Sequence, residues 1–180
     1  MLKRFFSHSL VAGIVVLSNF ISSPLFSEDN LEYKVKATYI ANFTMYIELP
    51  DGKPIAKQSK ADVCVLGDSP IMNYPKVFEE APFDKLNISL VREDNLANVA
   101  SHCSVVFIGS TEEAKDVFST LKNKLILTVS DAPDFVERGG MIGLVIDNGR
   151  VKFVVNKKAI EKSGLSVDSD LLGQALKVLD

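Results

Sequence analysis

At 180 residues, with a formal charge of −3, 47% hydrophobic residues and no tryptophan, the chain is a mildly acidic and ordinarily apolar polypeptide. That balance argues against a nucleic-acid groove and against a basic membrane-binding face, both of which need clustered lysine and arginine. Two cysteines are too few for a disulfide-dense scaffold, and neither belongs to a Cys-x-x-Cys pair.

Residues 1–27 read as a secretory signal. Met1-Leu2-Lys3-Arg4 is a basic start, Leu10 to Ile21 is an apolar stretch, and Ser22 to Ser27 leads to the acidic Glu28-Asp29-Asn30. The apolar stretch falls short of the roughly 20 residues that a spanning helix needs. No cysteine follows it for lipid attachment. Losing Lys3 and Arg4 takes the net charge from −3 to −5. The expectation is one exported domain over residues 28–180, without repeats, in a compartment where cysteines oxidise.

Leu31 to Leu49 has helical spacing, with Tyr33, Ala37, Ile40, Thr44 and Ile47 on one stripe and Tyr39, Phe43 and Tyr46 on the next. Pro50-Asp51-Gly52 ends it. Asp62 to Gly67 is a compact apolar strand, and Ser69-Pro70 opens a helix through Glu80 as N-cap and N1 proline. Leu86 to Val91 forms the second strand, Asn95 to His102 a short helix, and Ser104 to Ile108 the third strand. Ser110-Thr111-Glu112-Glu113 is a capping box for a helix to Leu121. Leu125 to Val129 forms the fourth strand, followed by a turn capped by Asp131 near Pro133 to Phe135.

Met141 to Ile146 and Arg150 to Val155 then form a hairpin, because Asn148-Gly149 supplies the positive φ angles of a type I′ turn. Lys157 to Lys162 is helical and stops at Gly164, and a last helix covers Ser169 to Leu179. Apolar strands alternating with helices predict an α/β fold, a three-layer α/β/α sandwich. Its sheet is mostly parallel in order 2-1-3-4, with a C-terminal antiparallel hairpin at the edge and the N-terminal helix packed on one face.

In that order the strand carrying Cys64 lies beside the one that Cys103 introduces. Two readings stand: a disulfide, or two buried thiols packing as small hydrophobes. His102 beside Cys103 is one ligand short of a structural zinc set, and it has no third residue to orient it as a base. No Gly-x-Ser-x-Gly elbow and no nucleotide-binding glycine pattern occurs. The chain therefore reads as a non-enzyme, with no catalytic residues, no metal ligands and no cofactor.

Two kinds of surface remain. Gly67, Asp68 and Ser69, with Ser110 and Thr111, sit at strand ends that a parallel sheet gathers into a ligand crevice, although these residue types are also ordinary caps. Leu165, Val167, Leu171 and Leu172 follow Gly164 as a candidate partner surface. Tyr39, Phe43 and Tyr46 form a candidate dimer contact, aromatics being favoured in interface cores.

Lys36 to Phe43 followed by Tyr46 to Pro50 resembles the opening of the YfiR-like periplasmic repressor family, as do Val63 to Pro70 and His102-Cys103 through Ile108. Leu127-Thr128-Val129-Ser130-Asp131, Phe135, Gly139-Gly140-Met141-Ile142 and Arg150 to Phe153 extend the likeness. It continues in the same order through Asn156, Ala159, Gly164-Leu165 and Leu171-Leu172. Leu49 stands where the family typically has tryptophan, and Val154-Val155 replaces the usual Glu-Ile.

The resemblance implies a homodimer and a disulfide between Cys64 and Cys103. It also implies a periplasmic protein that binds the sensor region of an inner-membrane diguanylate cyclase, or another sensor protein, and lowers cyclic-di-GMP and biofilm formation. An OmpA-like outer-membrane lipoprotein would sequester it. The competing expectation is a small-molecule-binding sensor acting on a membrane receptor such as a histidine kinase.

Overall fold

A computed structural model describes residues 28–80, 82–109 and 114–180. The strands are β1 (Ile47–Glu48), β2 (Ala61–Leu66), β3 (Ile88–Glu93), β4 (Cys103–Ile108), β5 (Leu127–Ser130), β6 (Ile142–Asp147), β7 (Arg150–Asn156), β8 (Ser166–Val167) and β9 (Lys177–Leu179). The helices are α1 (Glu28–Tyr46), α2 (Lys76–Glu79), α3 (Leu96–His102), α4 (Ala114–Thr120), α5 (Lys157–Ser163) and α6 (Ser169–Gln174).

Seven strands form one sheet in the order β3-β2-β4-β5-β6-β7-β9. β2 to β6 run parallel, β7 returns antiparallel to β6, and β9 lies parallel to β7. Side chains alternate between the two faces, as strand geometry requires. Val63, Val65, Val105, Phe107 and Val129 join Ile40 and Phe43 of α1 in one core. Cys64, Leu66, Val106 and Ile108 join Val99 of α3 and Val117 of α4 in the other. Helices cover both faces, so the α/β/α sandwich, the 2-1-3-4 order and the antiparallel hairpin all stand. Asn148 and Gly149 take φ of 48° and 70° at the hairpin turn, and Gly164 caps α5 at φ 91°.

The second and fourth strands begin two residues later than expected, at Ile88 and Leu127, and three segments change their course. α1 ends at Tyr46, three residues early, because Ile47 and Glu48 pair antiparallel with Val167 and Ser166, and the Asp168 N–H donates to the Tyr46 carbonyl at 2.9 Å. The helix from Ser69 to Glu80 is broken. A 3₁₀ turn at Pro70–Asn73 is separated from α2 because Pro75 disfavours helical backbone at Tyr74, which adopts φ −122° and ψ 44°. The final helix stops at Gln174, and Lys177–Leu179 leaves it to hydrogen-bond along β7, satisfying backbone groups that the hairpin alone would expose.

Candidate functional site

The parallel register brings the ends of β2, β4 and β5 to one edge of the sheet. Gly67, Asp68 and Ser69 follow β2 there, and their polar groups already have work. Gly67 takes φ 77° and donates to Glu93 O at 3.1 Å. The exposed Asp68 pairs with Arg92 at 2.6 Å, and Ser69 Oγ accepts the Ile71 N–H as an N-cap. A Cβ on Gly109, after β4, would lie 3.1 Å from the Asp68 carbonyl and 3.3 Å from Ser69 Cβ, so these two loops are in contact. Ser110 and Thr111 lie outside the described residues. The described residues of the expected crevice, Gly67 to Ser69, form a capping turn and a surface ion pair.

An open cavity of about 400 Å³ lies one strand further along the same edge, where Lys36 of α1 meets the end of β5. The Lys36 side chain is only 5% exposed. Its Nζ lies 2.5 Å from Asp131 Oδ2, 2.6 Å from Glu32 Oε1 and 4.4 Å from the centre of the Tyr33 ring. Burial alone would lower its pKa, but the hydrogen bonds to Asp131 and Glu32, with the charge of Asp131, outweigh it and raise the pKa above the ordinary lysine value. Lys36 is thus an ammonium at neutral pH, unsuited there to act as a base or a Schiff-base nucleophile. Phe135, Leu144 and Val154 supply apolar wall beside it.

Asp131 does not cap its own turn. Ser130 takes that place, its Oγ accepting the Ala132 N–H at 3.0 Å and donating to Ile108 O at 2.7 Å. The cavity escaped sequence reasoning because Lys36 and Asp131 lie 95 residues apart. One signal was present: Lys36 is four residues before Ile40, on the buried stripe of α1.

Cys64 and Cys103 form a disulfide across β2 and β4, with Cα atoms 5.9 Å apart. His102 Nδ1 lies 3.9 Å from Cys103 Sγ, and the three side chains cluster as metal ligands would. With the sulfurs bonded to each other, however, the thiolates such a site requires are absent. His102 is also less plain than its sequence context indicates. It bridges Asp62 Oδ2 at 3.1 Å and Glu93 Oε1 at 2.9 Å, tying α3 to β2 and β3.

The expected interface residues separate by burial. Leu165 and Leu171 are 2% and 3% exposed and belong to the core, so they are not surface, because Leu171 packs inward where α6 meets α1. Phe43 is likewise buried, edge-on to Phe153 at 5.2 Å and stacked with Tyr39 at 6.0 Å. Val167, Leu172, Tyr39 and Tyr46 are half-buried and keep accessible surface. Leu31, Leu125, Ile146 and Leu176 are exposed large hydrophobics that the sequence reading passed over.

The sequence profile of the YfiR/HmsC-like family matches residues 33–175, which is nearly the whole described domain. The chain belongs to the YfiR/HmsC-like family. Membership supports a periplasmic regulatory protein, and the family is regulatory, not one known for catalysis. No helix among the described residues is long and apolar enough to cross a membrane.

Two solved structures share the fold. A conserved domain protein from Vibrio cholerae O1 biovar eltor superposes with a TM-score of 0.54 at 13% identity. The ABC domain from Streptococcus pneumonia, in complex with L-Trp, superposes with a TM-score of 0.50 at 16% identity. Each alignment covers 79% of this chain and 60% of the other, so this chain spans about three fifths of those proteins. At such identities the likeness is one of fold alone. No curated protein matches the chain significantly.

Proposed function

We propose that this YfiR/HmsC-like protein binds the periplasmic sensor region of an inner-membrane diguanylate cyclase and holds it in an inactive state, lowering cyclic-di-GMP and biofilm formation. The observation that carries the proposal is the family match over residues 33–175. It works by differential affinity: the protein shifts the receptor only as far as it prefers the inactive conformation. Val167 and Leu172 offer half-buried apolar surface to the receptor, while Tyr39 and Tyr46 serve contact with a second copy. An OmpA-like outer-membrane lipoprotein competing for the same protein would relieve repression.

The test is co-purification from crosslinked membranes together with cyclic-di-GMP measurement in cells carrying Leu172→Asp. A cyclase recovered with the native protein, and raised cyclic-di-GMP with a folded variant, support the reading. Unchanged cyclic-di-GMP, or a receptor of another class such as a histidine kinase, overturns it.

A second reading, a small-molecule sensor acting on a membrane receptor, draws on the Lys36 cavity, where an ammonium held between Glu32 and Asp131 lies beside apolar wall. Saturable thermal stabilisation by a metabolite, lost in Lys36→Met, would favour it.

A further inference from the structure

The opposite edge of the sheet, where β5 and β6 begin and β7 ends, holds a groove of about 500 Å³. It lies away from the strand ends where doubly wound folds usually take ligands. Phe118, Leu121 and Met141 line it with apolar surface, and Lys122, Lys158 and Lys162 stand around it. No aspartate or glutamate is among its lining residues. Because the whole chain carries −3, this positive groove is a local arrangement and not a by-product of overall charge.

Lys158 and Lys162 are four residues apart on α5, an arrangement in which like charges repel. Their neighbour Lys157 has Glu161 at 3.7 Å, yet no carboxylate among the described residues lies within 4.0 Å of Lys122, Lys158 or Lys162. Three exposed ammonium groups around one concave surface, none paired with a carboxylate among the described residues, give it a local positive potential that suits an anionic head group.

The floor adds a directional group. Thr128 is 4% exposed, and its Oγ accepts the Met141 N–H at 3.2 Å. That contact uses the oxygen as acceptor and leaves the hydroxyl proton without an acceptor among the described residues.

We infer that this groove binds a small amphipathic organic anion, with its apolar body against Phe118, Leu121 and Met141 and its carboxylate or phosphate head among the three lysines. An apolar wall with one charged cluster suits such a ligand, whereas a bare anion would leave the wall unused. The inference stands apart from the receptor reading and from the Lys36 cavity.

Calorimetric titration of the purified protein with decanoate and with decyl phosphate, each below its micellar concentration, tests it. The comparison ligands are decanol, inorganic phosphate and vesicles of anionic phospholipid. The expected result is one saturable site for either amphiphile, whichever head it prefers. Decanol and inorganic phosphate should bind at least ten-fold more weakly. Lys158→Gln/Lys162→Gln and Lys122→Gln should each weaken binding several-fold, and added salt should weaken it further. These lysines are exposed, so the variants keep the native melting temperature and report on the site alone. Absent binding, equal affinity in the lysine variants, decanol or phosphate as tight as the amphiphiles, or binding to vesicles only, would each overturn the inference.

Discussion

Lys36 Nζ lies 2.5 Å from Asp131 Oδ2, so an ammonium midway along α1 is bound to the carboxylate just after β5, 95 residues away. Glu32 adds a second carboxylate from the same helix at 2.6 Å. The pair ties α1, whose Ile40 and Phe43 are buried in the core, to the end of β5.

Removing one partner from a buried pair leaves an uncompensated charge, which typically costs about 3 kcal/mol or more. Because Glu32 still serves Lys36, Asp131→Asn should cost about 2 kcal/mol. The double variant Lys36→Met/Asp131→Asn should lose less than the two single losses added. Urea unfolding of the four-protein cycle measures this, and additivity within about 0.5 kcal/mol would show no coupling.

The same contact sets an alkaline limit. A lysine whose folded pKa is raised stabilises the fold fully below its unfolded value near 10.5, and that stability fades as pH climbs through the folded value. Between pH 7 and 9 this contribution should stay constant. Above about pH 10.5, wild-type stability should fall more steeply than that of Lys36→Met, read from urea midpoints. Parallel pH profiles for the two proteins would refute the assignment.

The Cys64–Cys103 bridge closes a segment with a sequence separation of 39, for which chain entropy gives about 4 kcal/mol. Unfolding with and without dithiothreitol should differ by roughly that amount. The Cys64→Ala/Cys103→Ala protein should match the reduced wild type. A difference below about 1 kcal/mol would mean that the bridge contributes little beyond β2–β4 pairing.

Gly140 is held against Phe135, its N–H donating to the Phe135 carbonyl at 2.9 Å. A Cβ there would fall on the Phe135 ring, which is itself fully buried. Gly140→Ala should therefore destabilise by about 3 kcal/mol, and Phe135→Leu in the same chain should recover part of the loss. Thermal melts of both proteins decide whether the ring is the obstacle.

The parallel sheet was legible because Val63 to Leu66 and Val105 to Ile108 are short runs apolar on both faces and each ends at a glycine, Gly67 or Gly109, a pattern that suits doubly covered strands. Asn148-Gly149 and Gly164 were legible because their left-handed backbone restricts residue choice. What escaped depends on partners far along the chain. Ile47 looks helical until Val167 is placed beside it, and Val178 looks helical until β7 offers it an edge. Leu171 and Leu172 are indistinguishable as letters, yet only the packing of α6 sends the first inward. The prediction that follows is sharp: Leu171→Asp should prevent folding, whereas Leu172→Asp should preserve the native circular dichroism spectrum.

The small ladder between β1 and β8 bears on how two binding events would communicate. Ile47 faces Val167, and the Asp168 N–H is tied to the Tyr46 carbonyl. A receptor resting on Val167 and a second copy resting on Tyr46 would thus press on the same few backbone hydrogen bonds. Receptor affinity would then depend on protein concentration through self-association, and by linkage the receptor would alter self-association by the same factor. The dose of protein in the compartment would become part of the signal.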